Sequence, residues 1–291
     1  MRTPSVPAIL FRLLLAFALL ALAGCRSAAV AEAPLRVMSF NVRVPIESDG
    51  PDRWELRRDL LVRTIRDEGP DVIGTQELVR AQADYLVGHL PQYAWFGSGR
   101  RGARDDAGDE HMGVFWRRDT LRLLESGDFW LSDTPAVPGS ISWGNLYPRL
   151  VSWGLFERAA DGRRFYLFNT HLPYREQDGP ARLRSAQAIL QRLEALPRDV
   201  PVIVLGDFND LPGGETYRAL TGMLADAWLQ APRRQGPDAT FHGFSGQART
   251  RIDWVLQRGF RVRQATALDR SEGGRYPSDH FPVLVEFEPA R

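Results

Sequence analysis

Pro201-Val202-Ile203-Val204-Leu205-Gly206-Asp207-Phe208-Asn209 is an apolar run that ends on a carboxylate and an amide. A short β-branched run closed by glycine predicts a buried strand from Val202 to Leu205. The polar residues then fall at the strand's end. Four other stretches repeat the design: Ser39-Phe40-Asn41, Gln76-Glu77, Asn169-Thr170-His171-Leu172 and Ser278-Asp279-His280. A scaffold that delivers side chains from several strands to one rim reads this way. The collected set suits one hard cation and one phosphate. Glu77, Asp207 and Asp279 offer oxygen ligands, Asn41 and Asn209 can donate to anionic oxygens, and His171 and His280 can carry charge or protons. Zinc is the weaker reading, because no Cys or His pair has metal-ligand spacing.

The set resembles the endonuclease/exonuclease/phosphatase superfamily of metal-dependent phosphoesterases. The likeness runs from about Leu35 to about Glu288, with Asn41, Glu77, His171, Asp207 with Asn209, Asp253, and Asp279 with His280 in the family's order. It implies an α+β fold: a four-layer α/β/β/α sandwich of two mainly antiparallel sheets flanked by helices, with the site at one end of the sheets. It further implies Mg²⁺, with Mn²⁺ as the alternative, near Glu77, Asn41 and Asp279. Asn41 would help to order the metal site and Asp207, against the plainer reading of a buried Asn satisfied by backbone. Asp207 is the expected group that orients or deprotonates the attacking water. Asn209 would share its side of an extended chain and donate to a phosphate oxygen, while Phe208 points into the core. His280 is the expected charged partner of the phosphate, held by Asp253, and His171 a donor to a phosphate oxygen. Glu110 fits a position facing the cleft. Arg149 resembles a phosphate-contacting Arg, against the alternative of one more surface Arg.

The ends and the composition narrow the setting. Arg2 and Arg12 flank a short basic start, and Leu13 to Leu22 is almost wholly apolar. That is short for a membrane span and reads as a signal peptide over residues 1–24. Leu22-Ala23-Gly24-Cys25 resembles a bacterial lipobox, so Cys25 is expected to carry lipid, with residues 25–34 as tether and 35–291 as the catalytic domain. An ordinary secretory signal with an incidental Cys is the alternative. The reading places the protein outside the cytoplasm, on a membrane of the cell envelope. Cys25 is the only cysteine, which excludes an intrachain disulfide and a Cys nucleophile in the folded part. No Lys occurs, which excludes Schiff-base chemistry. Losing residues 1–24 removes two Arg and no acid, and shifts the formal charge from +1 to −1. A near-neutral chain does not advertise a long polyanion partner.

Helices are expected from Trp54 to Glu68, Val79 to Leu90 and Gly179 to Leu196. In the first, Trp54, Leu56, Leu60, Leu61 and Ile65 form the apolar face, with Arg and Asp outside. Strands are expected near Leu35 to Val44, Asp71 to Thr75, Met112 to Arg117, Leu121 to Leu131, Leu150 to Glu157, Phe165 to Asn169, Trp254 to Leu256 and Phe281 to Phe287. Gly97-Ser98-Gly99-Arg100-Arg101-Gly102 matches a dinucleotide-binding glycine pattern, but no apolar helical face follows, so it reads as a mobile loop near the cleft whose Arg side chains meet phosphate. Of four clustered tryptophans, Trp116 and Trp153 read as core, which leaves Trp130 and Trp143 to wall a cleft. The expected substrate is a phosphodiester or phosphomonoester: a nucleic acid fragment, a lipid phosphate or a sugar phosphate. An extracellular nuclease and a non-catalytic binding lipoprotein are the rival readings, and nothing predicts a protein partner.

Overall fold

The structure is a computed structural model that describes residues 33–102 and 108–288. The expected signal peptide over residues 1–24 and Cys25 lie outside the described residues. All described helices and strands fall within the unit Pro34–Arg291. No helix among the described residues is long and apolar enough to cross a membrane.

Thirteen strands form two sheets. The first contains β1 (Leu35–Asn41), β2 (Val72–Leu78), β3 (Tyr93–Phe96), β4 (His111–Arg117), β10 (Arg234–Gln235), β12 (Arg261–Ala267) and β13 (Val283–Glu288), in the order β10-β12-β13-β1-β2-β4-β3. The second contains β5 (Leu121–Trp130), β6 (Leu150–Arg158), β7 (Arg164–His171), β8 (Val202–Asp207), β9 (Ala225–Asp226) and β11 (Asp253–Arg258), in the order β5-β6-β7-β8-β11-β9. Most neighbours are antiparallel, but β1 runs parallel to β2, β7 to β8, and the short β10 to β12. Helices α1 (Trp54–Glu68) and α2 (Arg80–His89) cross over between the first sheet's early strands; α3 (Gly179–Glu194), α4 (Glu215–Thr221) and α5 (Ala227–Gln230) belong with the second.

Side-chain alternation explains the layers. Ile203 and Leu205 of β8 join Val37, Val72 and Phe287 in a core shared by both sheets. Their neighbours Val202 and Val204 face the other way and pack with Ile189 and Leu193 of α3. Met38 and Phe40 of β1 likewise pack outward on Leu61 and Ile65 of α1. The result is the expected four-layer α/β/β/α sandwich. Burying a side chain such as Phe208, which has no exposed surface, stabilises the fold by about 1.5–3 kcal/mol.

The parallel pairs decide where function sits. β1, β2, β7 and β8 end at one edge of the sandwich, while their antiparallel partners β11, β4 and β13 begin there. Strand ends and strand starts therefore deliver residues to the same rim. Two buried amides tie the sheets together just beneath it. Gln76 Nε2 donates to Asn169 Oδ1 at 2.7 Å, and Asn169 Nδ2 donates to the carbonyls of Thr75 and Gly113.

Several expectations change. The strand expected to stop at Thr75 continues through Leu78. A register shift between Thr75 and Leu78 accompanies a left-handed Glu77 (φ 58°), and this bulge re-aims the Glu77 side chain. In α1, Leu56 is exposed and Arg57 takes the inward position, because four backbone carbonyls stand ready to receive its guanidinium. Trp130 is buried and donates to the Arg100 carbonyl at 2.7 Å, and Trp143 lines a separate surface cleft beside α3, so neither walls the main cleft. Trp116 and Trp153 are half-buried against the core, as expected.

Candidate active site

A cleft of about 680 Å³ opens on this rim. Its central polar chain runs through Asp253, His280 and Asp207. His280 Nδ1 lies 2.8 Å from Asp253 Oδ2, and His280 Nε2 lies 3.8 Å from Asp207 Oδ2. The geometry follows from pairing: Asp253 starts β11 directly opposite Asp207, the last residue of β8. All three side chains are buried. Burial opposes a charge on His280, but the carboxylates of Asp253, Asp279 and Asp207 outweigh it and raise the imidazole well above its ordinary range. Asp207 is raised as well, by burial first and then by the Asp253 charge. Ligand atoms of Asp207, Asp253 and His280 lie close enough to hold a cation. A charged imidazolium has no lone pair to offer, however, so the trio is a charge relay, hydrogen-bonded between His280 and Asp253 only, rather than a metal cage.

Gly206 makes this turn possible. Its φ is 149°, and a Cβ there would stand 2.0 Å from the Thr170 carbonyl oxygen on the parallel neighbour β7. The close approach also seats His171 against Asp207, its register partner, with Nε2 3.5 Å from Oδ2. His171 differs from the expectation that it could carry charge. Burial, reinforced by Arg149, lowers its pKa well below the usual range and leaves a neutral imidazole.

Asn41 binds the two halves. Its amide donates to Glu77 Oε1 and to Asp207 Oδ2, each at 3.1 Å, while its Oδ1 accepts the Arg43 N–H at 3.0 Å. The nitrogen end orders two carboxylates and the oxygen end fixes the backbone at Arg43, which suits Asn41 to alignment rather than ligation. Asn209 departs from the extended form expected for it. It is left-handed (φ 49°), its N–H donates to Asp207 Oδ1, and its amide donates to the Leu172 carbonyl at 3.1 Å. It still lines the cleft.

Acidic groups gather in the cleft. Glu77 Oε2 accepts the Val44 N–H at 3.1 Å, and Asp279 Oδ1 accepts from the Ser278 hydroxyl at 3.2 Å. Burial, with Glu77 adding repulsion, raises the Asp279 carboxyl. Crowded hard-oxygen donors and no thiolate fit a divalent cation such as Mg²⁺ or Mn²⁺. Arg100 and Arg149 line the same cleft together with Glu110. Arg100 forms two 2.8 Å contacts with Glu110 and lies 4.3 Å over the Tyr147 ring. The glycine-rich turn is therefore pinned through Arg100 rather than free. Arg149, just before β6, is buried and lines the cleft, and among the described residues its Nη1 has no hydrogen-bond partner. A buried guanidinium nitrogen without a partner is a donor that a bound anion can satisfy.

All ten residues expected from sequence fall at this end of the sandwich. Glu77, Asp207, Asn209, His171, His280, Asp279, Arg149 and Glu110 line the cleft, with Asn41 and Asp253 directly behind. Sequence reading missed Arg43, Tyr147, Tyr174 and Phe241, which also line it, as does Arg100 from the glycine-rich stretch expected near the cleft. Arg43 and Tyr174 follow recognised stretches within three residues, and that adjacency was the available signal. Phe241 carried none: an isolated bridge to His280 brings it in, with ring centroids 5.0 Å apart.

The model of the Endonuclease/Exonuclease/phosphatase family matches residues 38–280. Among solved structures, the mannosyl-6-phosphatase of Bacteroides thetaiotaomicron is 32% identical with a TM-score of 0.81, over 87% of this chain and 99% of that one. Human nocturnin is 25% identical over 87% of this chain, and zebrafish tyrosyl-DNA phosphodiesterase 2 is 24% identical over 91%. The match spans 65% of the length of nocturnin and 69% of the zebrafish protein.

Proposed function

The chain belongs to the endonuclease/exonuclease/phosphatase family, a family of phosphoric ester hydrolases, and we propose that it is a Mg²⁺-dependent enzyme hydrolysing the phosphomonoester of a small polar molecule such as a hexose phosphate. The observation that carries the reading is the set of groups lining one cleft: the Glu77 and Asp279 carboxylates, the buried Arg149, and His280 held by Asp253 beside Asp207. A phosphate bound there meets a cation site, an imidazolium and a guanidinium together.

Glu77 and Asp279 are the carboxylates that would hold the ion. When bound, it supplies charge neutralisation at the phosphate and eases ionisation of water. Asp207, held by the Asn41 amide and lifted by burial, accepts a proton from the attacking water. His280, kept charged by Asp253, stabilises negative charge as it grows on the phosphate. Arg149 and the neutral His171 donate to its remaining oxygens. Attack is direct, with no covalent intermediate. A small substrate is supported by the size of the cleft, by a chain near charge neutrality, and by likeness to a mannosyl-6-phosphatase. Export and lipid anchoring through Cys25 belong to the same proposal and would put the enzyme with extracytoplasmic substrates.

One observation favours a nuclease as the second reading. Tyr174 and Phe241 line the cleft yet are 54% and 41% exposed, as a base-stacking rim would be. Phosphate release from hexose 6-phosphates and strand shortening of short DNA and RNA, each measured on the full chain with Mg²⁺, Mn²⁺ or EDTA, separate the readings. Metal-dependent release from the sugar phosphates is expected. Turnover confined to nucleic acid would favour the nuclease. Metal binding without turnover of any ester would leave a binding lipoprotein.

A further inference from the structure

Arg43 stands where a cation-binding site should tolerate a fixed positive charge least. Its guanidinium pairs with Asp49 through two contacts of 2.9 and 3.1 Å, and lies 3.8 Å from both Glu77 Oε2 and Asp279 Oδ2. The position is built, not incidental. Arg43 is left-handed (φ 55°), a conformation that crowds the Cβ of an L-residue. Three hydrogen bonds lock it there. Asn41 Oδ1 accepts its N–H, and its carbonyl accepts from Arg57 Nη2 at 2.8 Å and Gln82 Nε2 at 2.9 Å. Arg57 and Gln82 are both fully buried, and Arg57 also grips the carbonyls of Val42 and Pro277, on the segments bearing Asn41 and Asp279. Backbone strain held by buried donors from two helices aims one guanidinium at the two carboxylates assigned above to the metal.

We propose that Arg43 is a resident counter-cation that sets the affinity of the metal site, with Asp49 as the tether that holds it back from Glu77 and Asp279. This rests on those two carboxylates being the metal-holding pair. With the ion absent, the guanidinium offsets the repulsion between the two carboxylates. With the ion bound, like-charge repulsion across a few ångströms weakens binding, and the Asp49 pair limits that repulsion. Affinity is thereby held low enough for the ion to exchange rather than lodge permanently.

The test is Mn²⁺ binding to the full chain, read from the free-ion signal in electron paramagnetic resonance, with no substrate present. R43Q should bind Mn²⁺ on the order of tenfold more tightly. R43K, which keeps the charge, should stay near wild type. D49N frees the guanidinium towards Glu77 and Asp279 and should weaken binding severalfold. In the R43Q background, D49N should lose most of that effect, because its route runs through Arg43. Should R43Q fail to fold, D49N and R43K still read the sign. Unchanged or weaker binding in folded R43Q, or additive effects in the double variant, overturns the proposal alone. Failure of the wild type to bind Mn²⁺ overturns it together with the metal reading beneath it.

Discussion

Asp253 never reaches the cleft surface, yet it decides the charge of the side chain that does. Its Oδ2 holds His280 Nδ1 at 2.8 Å, and its charge is the largest influence that raises the imidazole. Asp253→Asn keeps the shape and removes the charge, so kcat should fall by about 10²–10⁴ while the melting temperature changes little. Steady-state kinetics with thermal denaturation checks this, and unaltered kcat would contradict the relay. His242 offers a different reading of charge. Its ring stacks on Phe281 at 4.1 Å, and burial with the nearby His280 charge pushes it down from 6.5 to about 4. Between those values the unfolded chain binds a proton that the folded chain refuses. Its contribution to stability is therefore complete above pH 6.5 and declines as pH falls towards 4. Urea unfolding at pH 7.5, 6 and 5 should show a shallower pH dependence in His242→Gln, and parallel curves would exclude this origin. At this scale the placement of Asp207, Glu77 and His280 at one cleft was legible, because each closes or borders an apolar run. Arg43 was not: its importance comes from a left-handed backbone and three acidic neighbours far apart in sequence.

Elements explain which parts of the reading held. Strand ends that carry Asn41, Glu77, His171 and Asp207 are visible as apolar runs closing on polar residues, because alternation and burial write themselves into sequence. Helix α1 was placed correctly at Trp54–Glu68, but its buried face was misread. Hydrophobic periodicity assigns an Arg to solvent. It cannot foresee that the Asp52, Val42, Pro277 and Arg43 carbonyls converge on Arg57. Asn209 was misread for a related reason, since its turn is closed by a bond from its own N–H to Asp207 Oδ1. The amide pair between the sheets makes a prediction at this scale. Asn169→Ala removes the Gln76 amide's 2.7 Å acceptor, leaving it the Gly74 carbonyl, and takes a side-chain donor from the Thr75 and Gly113 carbonyls in a buried layer. It should cost about 1–3 kcal/mol in denaturant unfolding. A loss below ~0.5 kcal/mol would show that the layer does not depend on it.

Across the whole molecule, two sheets pack face to face, and acidic and basic groups from both line one cleft at their shared end. Neither sheet holds the site alone: Asn41, Glu77 and Asp279 come from the first, and His171, Asp207 and Asp253 from the second. An ion that binds only the folded arrangement stabilises it by mass action, about 2.7 kcal/mol at a hundredfold excess over its Kd. Mg²⁺ should therefore raise the melting temperature of the full chain by on the order of 5 °C relative to EDTA. The same gain should vanish in a Glu77→Gln, Asp279→Asn variant. That the sheets close over a shared end was legible from the order of motifs. The size of the cleft and its Tyr174 and Phe241 rim were not, because loops with no periodic pattern build them. The central claim is that this rim hydrolyses phosphoesters through Asp207 with a bound divalent ion. Its most direct test is the initial rate of phosphate release from a hexose 6-phosphate with Mg²⁺, for the wild-type chain and for Asp207→Ala of equal melting temperature, each repeated in EDTA. The expected result is release by the wild type with Mg²⁺, none in EDTA, and a rate lower by at least about 10²-fold in the variant. Equal rates in wild type and variant, or release that persists in EDTA, would contradict it.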